Sequence, residues 1–138
     1  MTLFANTDGA SRGNPGESGI GVILRDGRGT VVYEGCGYIG TATNNVAEYQ
    51  ALLHCLRKAR EARCTKLVVH SDSELMVKQL RGEYRVRDSN LRKFHEEART
   101  LIREAGFVFE IVHVERALNK EADLLANAGI EKREPLQV

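Results

Sequence analysis

The sequence predicts an α/β domain built on a mixed five-stranded sheet, three strands antiparallel and the later ones parallel, flanked by helices on both faces. In its first third, β-rich runs are joined by short turns, as in a meander. Further on, β-runs alternate with stretches of helical periodicity, which implies parallel crossovers. The length, 138 residues with 42% hydrophobic, suffices for one packed domain without staples.

Thr2 to Thr7 reads as a short first strand that stops at Asp8-Gly9, and the segment ASRGNPGES after it reads as a turn. Gly19 to Arg25 and Thr30 to Tyr38 are the next two strands, joined by Asp26-Gly27-Arg28-Gly29, a strong hairpin signal. At Asn44 the period changes: Val46, Tyr49, Leu53 and Leu56 share one helical face, and the helix runs to about Ala62. Lys66 to Ser71 holds the continuous apolar run Leu67-Val68-Val69, as in a strand buried on both faces. A helix over Ser73 to Leu80 is broken by Gly82, and another over Asn90 to Ala105 ends at Gly106. Phe107 to Val114 is the last strand and Asn119 to Ile130 the last helix. Residues 1–130 are therefore expected to form the domain, with 131–138, charged and aperiodic, as a loose tail.

Composition narrows the function classes. Twenty basic residues against 19 acidic leave a net charge of +1, so any polyanion must be held by local placement of charge. The three cysteines, Cys36, Cys55 and Cys64, have neither metal-knuckle nor redox spacing, and reduced thiols in a reducing compartment are expected. The N-terminus lacks the basic start of a secretory signal, and no apolar run reaches membrane-spanning length. A cytoplasmic location, no membrane partner and a monomer are the corresponding expectations.

Four acidic residues stand at places where an α/β sheet gathers ligands. Asp8 closes the first strand and Asp72 follows the fourth; if those strands are adjacent and parallel, both carboxylates leave the same sheet edge. Glu48 lies in the first turn of the helix from Asn44, and Asp123 in the first turn of the last helix. Each has a plainer reading. Asp8-Gly9 suits a turn, and Glu48 suits a capping box with Asn45. Asp72 suits a cap beside Ser71 and Glu74, and Asp123 suits a helix N-terminus. As a set they call for a cation, because like charges converge only at high cost. Oxygen-only ligands select a hard ion such as Mg2+ or Mn2+.

The segments TDGASRGNPG, TNNVAEYQAL, SDSELMVKQL and ALNKEADLLAN resemble the four signature segments of the ribonuclease H type 1 family, in the family's order and nearly end to end. The likeness is to its shorter, archaeal-like members, which lack a basic protrusion. It implies an endonuclease, a phosphodiester hydrolase that cuts the RNA strand of RNA/DNA hybrids with two Mg2+ or Mn2+ ions, leaving 5′-phosphate and 3′-hydroxyl ends. Residues 1–130 would then be the catalytic domain. Asp8 would bridge both metals, Glu48 and Asp72 would complete the coordination, and Asp123 would hold the second ion. Asn14, Asn44 and Asn45 match contacts to the hybrid backbone and 2′-hydroxyls, while helix capping is the plainer role for Asn44 and Asn45. Gly9 and Gly13 would admit a strand closely, and Thr43 matches a ligand for a DNA-strand phosphate. Some shorter members also cleave double-stranded RNA, a second substrate carried as open.

The chain departs from the family's pattern in three places. Glu74 replaces a substrate-touching Gln, so that contact is not carried over. The stretch Arg81 to Lys93 is short and without Trp, leaving Arg81, Tyr84, Arg85 and Arg87 as a reduced grip or simply a solvated face. The loop VERALN lacks the mobile histidine of many members; Arg116 is better placed than His113, which should lie within the strand. His54, His70 and His95 read as structural or exposed. Two other readings compete: a 3′–5′ exonuclease, disfavoured by Asn119 where that class carries His or Tyr, and a binding module without catalysis, disfavoured by the full acidic set. Folded elements at both ends suggest a free-standing enzyme.

Overall fold

The computed structural model describes residues 1–136. Its strands are β1 (Thr2–Gly13), β2 (Gly16–Arg25), β3 (Val31–Ala42), β4 (Lys66–Ser71) and β5 (Val108–His113). Its helices are α1 (Asn44–Glu61), α2 (Glu74–Leu80), α3 (Ser89–Ala105) and α4 (Lys120–Lys132), with a 3-10 turn, Arg116–Asn119, before α4. The sheet order is β3-β2-β1-β4-β5, with β1-β2 and β2-β3 antiparallel and β1-β4 and β4-β5 parallel. The predicted mixed five-stranded architecture is thus the one found.

Strand alternation sorts the helices onto opposite faces. On β2, Ile20, Val22 and Leu24 join the core with Tyr49 and Leu52 of α1. The intervening Gly19 and Gly21 face α4, where a Cβ on either would run into the helix backbone at Ala126 and Ala122. Absence of side chains there lets α4 lie directly on the sheet. Helix ends follow local chemistry. Thr43 and Ser73 accept from the N–H groups of Val46 and Met76, Asp88 accepts from Asn90 and Leu91, and Gly106 closes α3 at φ 77°.

Two expectations are corrected. The first strand does not stop at Asp8. Pairing with β4 ends at Thr7↔Ser71, but β1 continues against β2 from Asp8↔Gly21 to Gly13↔Gly16. The Gly, Ala and Ser residues that read as a turn form a two-stranded arm, with the reversal confined to Asn14-Pro15. The C-terminal segment is also not a loose tail through residue 136. Helix α4 runs past 130 to Lys132, Arg133 pairs with Glu17, the Glu134 carbonyl accepts from Tyr38 N–H at 2.8 Å, and Leu136 packs against the core beside Gly37. The Glu134 bond gives the outer edge of β3 a backbone partner at Tyr38, where an unpartnered strand otherwise exposes its backbone. Residues 137 and 138 lie outside the described residues.

Cys55 and Cys64 are buried, Cys36 is half-buried, and all three are free. Among the described residues no helix is long and apolar enough to cross a membrane.

Candidate active site

Parallel pairing of β1 with β4 aligns the two strands so that Asp8 and Asp72 both follow the last paired residues, Thr7 and Ser71. They leave the sheet at the same edge. Glu48 reaches them from the second turn of α1, where its Oε1 accepts the Gly9 N–H at 2.6 Å. Ligand oxygens of Asp8, Glu48 and Asp72 all lie within 4.8 Å of one another. Asp123, in the first turn of α4, lines the same crevice as Asp8. These residues line a crevice of about 420 Å³, together with Gly9, Ala10, Ser11, Asn44, Arg116 and Asn127.

Local geometry sets aside most of the plainer roles. Asp8 is within a strand, not a turn. Thr43 caps α1, so Glu48 is free of a capping box and spends its carboxylate on Gly9. Ser73, not Asp72, caps α2. Asp123 does sit where it complements a helix N-terminus, and its Oδ1 also accepts from Asn127 Nδ2 at 3.2 Å.

Without a cation this arrangement resists ionisation. Burial, then the charge of Asp72, pushes the Asp8 carboxyl up to about 8. Burial followed by the charges of Asp8 and Asp72 holds Glu48 well above the usual carboxylate range. Burial makes a charge on these carboxyls costly and the neighbouring carboxylates add to that cost; a cation would offset both, and an all-oxygen donor set fits a hard divalent ion. Asp8, Glu48 and Asp72 form the cluster that could hold such an ion, and Asp123 lines the same crevice.

The other candidates distribute unevenly. Asn44 is on the crevice wall, and its N–H donates to Asn14 Oδ1 at 3.1 Å, which ties the arm's tip to α1. Asn45 opens instead onto a neighbouring groove of about 560 Å³ with Gln79, Tyr84, Arg85 and Arg87. Thr43 is the helix cap, so neither asparagine caps. Gly13 sits at the arm's tip with φ 102°, a conformation that favours glycine. Arg81 does not join Arg85 and Arg87: it turns onto β5 and donates twice to the Ile111 carbonyl. Arg116 is exposed on the 3-10 turn and lines the crevice, whereas His113 ends β5 outside it. His70 and His95 bond backbone carbonyls of Ala5 and Gln79, and His54 is buried beside Tyr33. Asn127 escaped the sequence reading, although its spacing of four from Asp123 was the available signal.

Sheet order, the acidic edge and the crossing helices together define a carboxylate-site domain of the reverse transcriptase-like class, and the family model described as "Reverse transcriptase-like" matches residues 6–129. Ribonuclease HI of Halobacterium salinarum is 44% identical over 130 residues, covering 94% of this chain and 64% of that protein. The bifunctional protein Rv2228c of Mycobacterium tuberculosis is 38% identical over 132 residues, covering 95% of this chain and 36% of that protein. This chain therefore spans less than two thirds of the length of either relative. Among solved structures, RNase H1 of Halobacterium salinarum NRC-1 superimposes with a TM-score of 0.91 at 42% identity, covering 96% of this chain and 99% of that one. LC11-RNase H1, solved in complex with an RNA/DNA hybrid, gives a TM-score of 0.91 at 36% identity, covering 94% and 97%. The chain belongs to the ribonuclease H type 1 family.

Proposed function

We propose that this chain is an endoribonuclease, a hydrolase that cuts the RNA strand of RNA/DNA hybrids and leaves 5′-phosphate and 3′-hydroxyl ends. The observation that carries the reading is the convergence of Asp8, Glu48 and Asp72 within 4.8 Å at one sheet edge, with Asp123 lining the same crevice. Two Mg2+ or Mn2+ ions held by Asp8, Glu48, Asp72 and Asp123 would supply a nucleophile at neutral pH and stabilise charge on the leaving oxygen.

The protein's own residues do the rest. Gly9 and Ala10 present backbone along the crevice floor, where a nucleic-acid strand comes close. Asn44 offers an amide on the crevice wall, with Asn14 bonded to its backbone; such groups both donate to and accept from a 2′-hydroxyl and so distinguish RNA from DNA. Asn45, with Arg85, Arg87 and Tyr84, lines the adjacent groove; Thr43 caps α1 next to Asn44, and Gly13 precedes Asn14 at the arm's tip. Arg116 faces the carboxylates as the crevice's cation and suits the scissile or product phosphate. Residues 1–132 with the docked segment to 136 act as one catalytic domain, working as a monomer in the cytoplasm.

Matched RNA/DNA, RNA/RNA, DNA/DNA and single-stranded substrates, incubated with Mg2+ or Mn2+, test the proposal. Cleavage of the hybrid with ligatable 3′-hydroxyl ends is expected, and RNA/RNA cleavage would extend the range to double-stranded RNA. Equal cleavage of DNA/DNA, or 3′-phosphate products, would overturn it.

A further inference from the structure

We propose that Asn119 and Asn127 are positioning residues that together fix Asp123 at the crevice. The inference rests on the function proposed above, since it assigns Asp123 a working carboxylate. Residues 119, 123 and 127 are spaced four apart and so form one stripe along the start of α4.

Asn119 precedes the helix and is only 1% exposed, yet its side chain makes no capping bond. Its amide is turned onto β1. Nδ2 donates to the Thr7 carbonyl at 2.9 Å, and Oδ1 accepts from Asn6 Nδ2 at 3.0 Å. Thr7 leads directly into Asp8. The buried amide thus ties the first residue of the α4 junction to the peptide next to the central carboxylate. A buried polar group with both ends satisfied holds its geometry firmly, because any displacement leaves it unpaired.

Asn127 acts from the other side. Its Nδ2 donates to the Asp123 carbonyl at 3.0 Å and to Asp123 Oδ1 at 3.2 Å. One carboxylate oxygen is thereby fixed by a neutral donor, which leaves the charge intact. A Lys or Arg at this place would fix the same oxygen but cancel the charge that must attract a cation. Asn119 sets where the helix begins, and Asn127 sets which way the carboxylate turns.

The test compares Asn119→Ala and Asn127→Ala with wild type and with Leu124→Ala, a control on the same helix whose side chain is 69% exposed. Mn2+ affinity is read by calorimetry and by metal-dependent thermal shift, and kcat and KM are read on an RNA/DNA hybrid. Both asparagine variants should lose about tenfold in Mn2+ affinity and in kcat, with KM changed by less than about twofold. In an Asp123→Asn background, Asn127→Ala should change neither quantity, because its effect passes through the carboxylate. Wild-type Mn2+ affinity and kcat in Asn127→Ala, or an undiminished loss in the Asp123→Asn background, would overturn the inference. If Asn119→Ala fails to fold, Asn127→Ala decides alone. A wild-type chain that leaves the hybrid intact would sink the proposed function instead, and the Mn2+ titrations would still decide the role of the asparagines.

Discussion

The Gly9 backbone N–H donates to Glu48 Oε1 at 2.6 Å, so the strand that carries Asp8 and the helix that carries Glu48 are locked together at the crevice floor. The approach is close because residue 9 has no side chain. A Cβ there would collide with the backbone of Ala47 and Glu48. Gly9→Ala should therefore push α1 from β1, destabilise the fold by about 1–3 kcal/mol and lower kcat. Urea unfolding midpoints and steady-state kinetics on the hybrid check both effects; a variant with wild-type midpoint and turnover would contradict the contact's role.

The carboxylates set a pH dependence in metal-free protein. Folded Asp8 keeps its proton up to about 8, while its ordinary value is 3.8. Folding must then take up a proton anywhere between those values, so this group's contribution to stability falls as pH rises through the window. With chelator present, Asp8→Asn should exceed wild type in thermal stability by a margin that widens from pH 5 to pH 8. Saturating Mn2+ should remove the wild-type deficit. Parallel wild-type and Asp8→Asn curves in chelator would contradict this.

His54 titrates in the opposite sense. It is buried against Tyr33, whose hydroxyl lies 2.6 Å from Nε2, and burial followed by the charges of Lys58 and Arg57 lowers it from 6.5 to about 4. The neighbouring Glu61 opposes those charges. The unfolded chain binds this proton first, so the contribution is present above 6.5 and is lost as pH falls toward 4. His54→Gln should flatten the acid limb of stability between those pH values, read by chemical denaturation at each pH; an unchanged slope would refute the assignment.

With a net charge of +1, the proposed grip on a nucleic acid must come from locally placed charge. Arg85 and Arg87 line the second groove, and Arg81 does not. Replacing Arg85 or Arg87 with Ala should reduce the slope of log affinity against log salt by about one each, while Arg81→Ala leaves the slope unchanged. Arg116→Ala should lower kcat with a smaller change in KM. Equal slopes for the Arg81, Arg85 and Arg87 variants, or unaltered kinetics for Arg116→Ala, would contradict these placements.

Much of this was legible from residue pattern. Period-two and helical stretches marked the elements, and the apolar run at Leu67–Val69 marked a central strand that pairs on both sides. The acidic set was legible because each member stands at an element boundary. What escaped depended on partners distant in sequence. Residues 9–13 read as a turn by composition, but β2 supplies their pairing. Residues 133–136 read as a tail, yet the open edge of β3 gives Glu134 a backbone partner. Arg81 was grouped with Arg85 and Arg87 by proximity in sequence; the end of α2 turns it onto Ile111 instead. The tie from Asn119 to Thr7 spans 112 residues, beyond any local pattern.

The central claim is that the converging carboxylates hold the ions that cut RNA paired to DNA. Asp72 tests it most directly, because its side chain belongs to the tight acidic set and caps no helix. Cleavage of an RNA/DNA hybrid by wild type and by Asp72→Asn is measured in Mg2+ or Mn2+, with folding confirmed by circular dichroism. The account predicts hybrid cleavage by wild type and a loss of more than about a hundredfold in the variant, beyond the range for groups that merely support a metal ligand. Turnover in Asp72→Asn equal to wild type would contradict it.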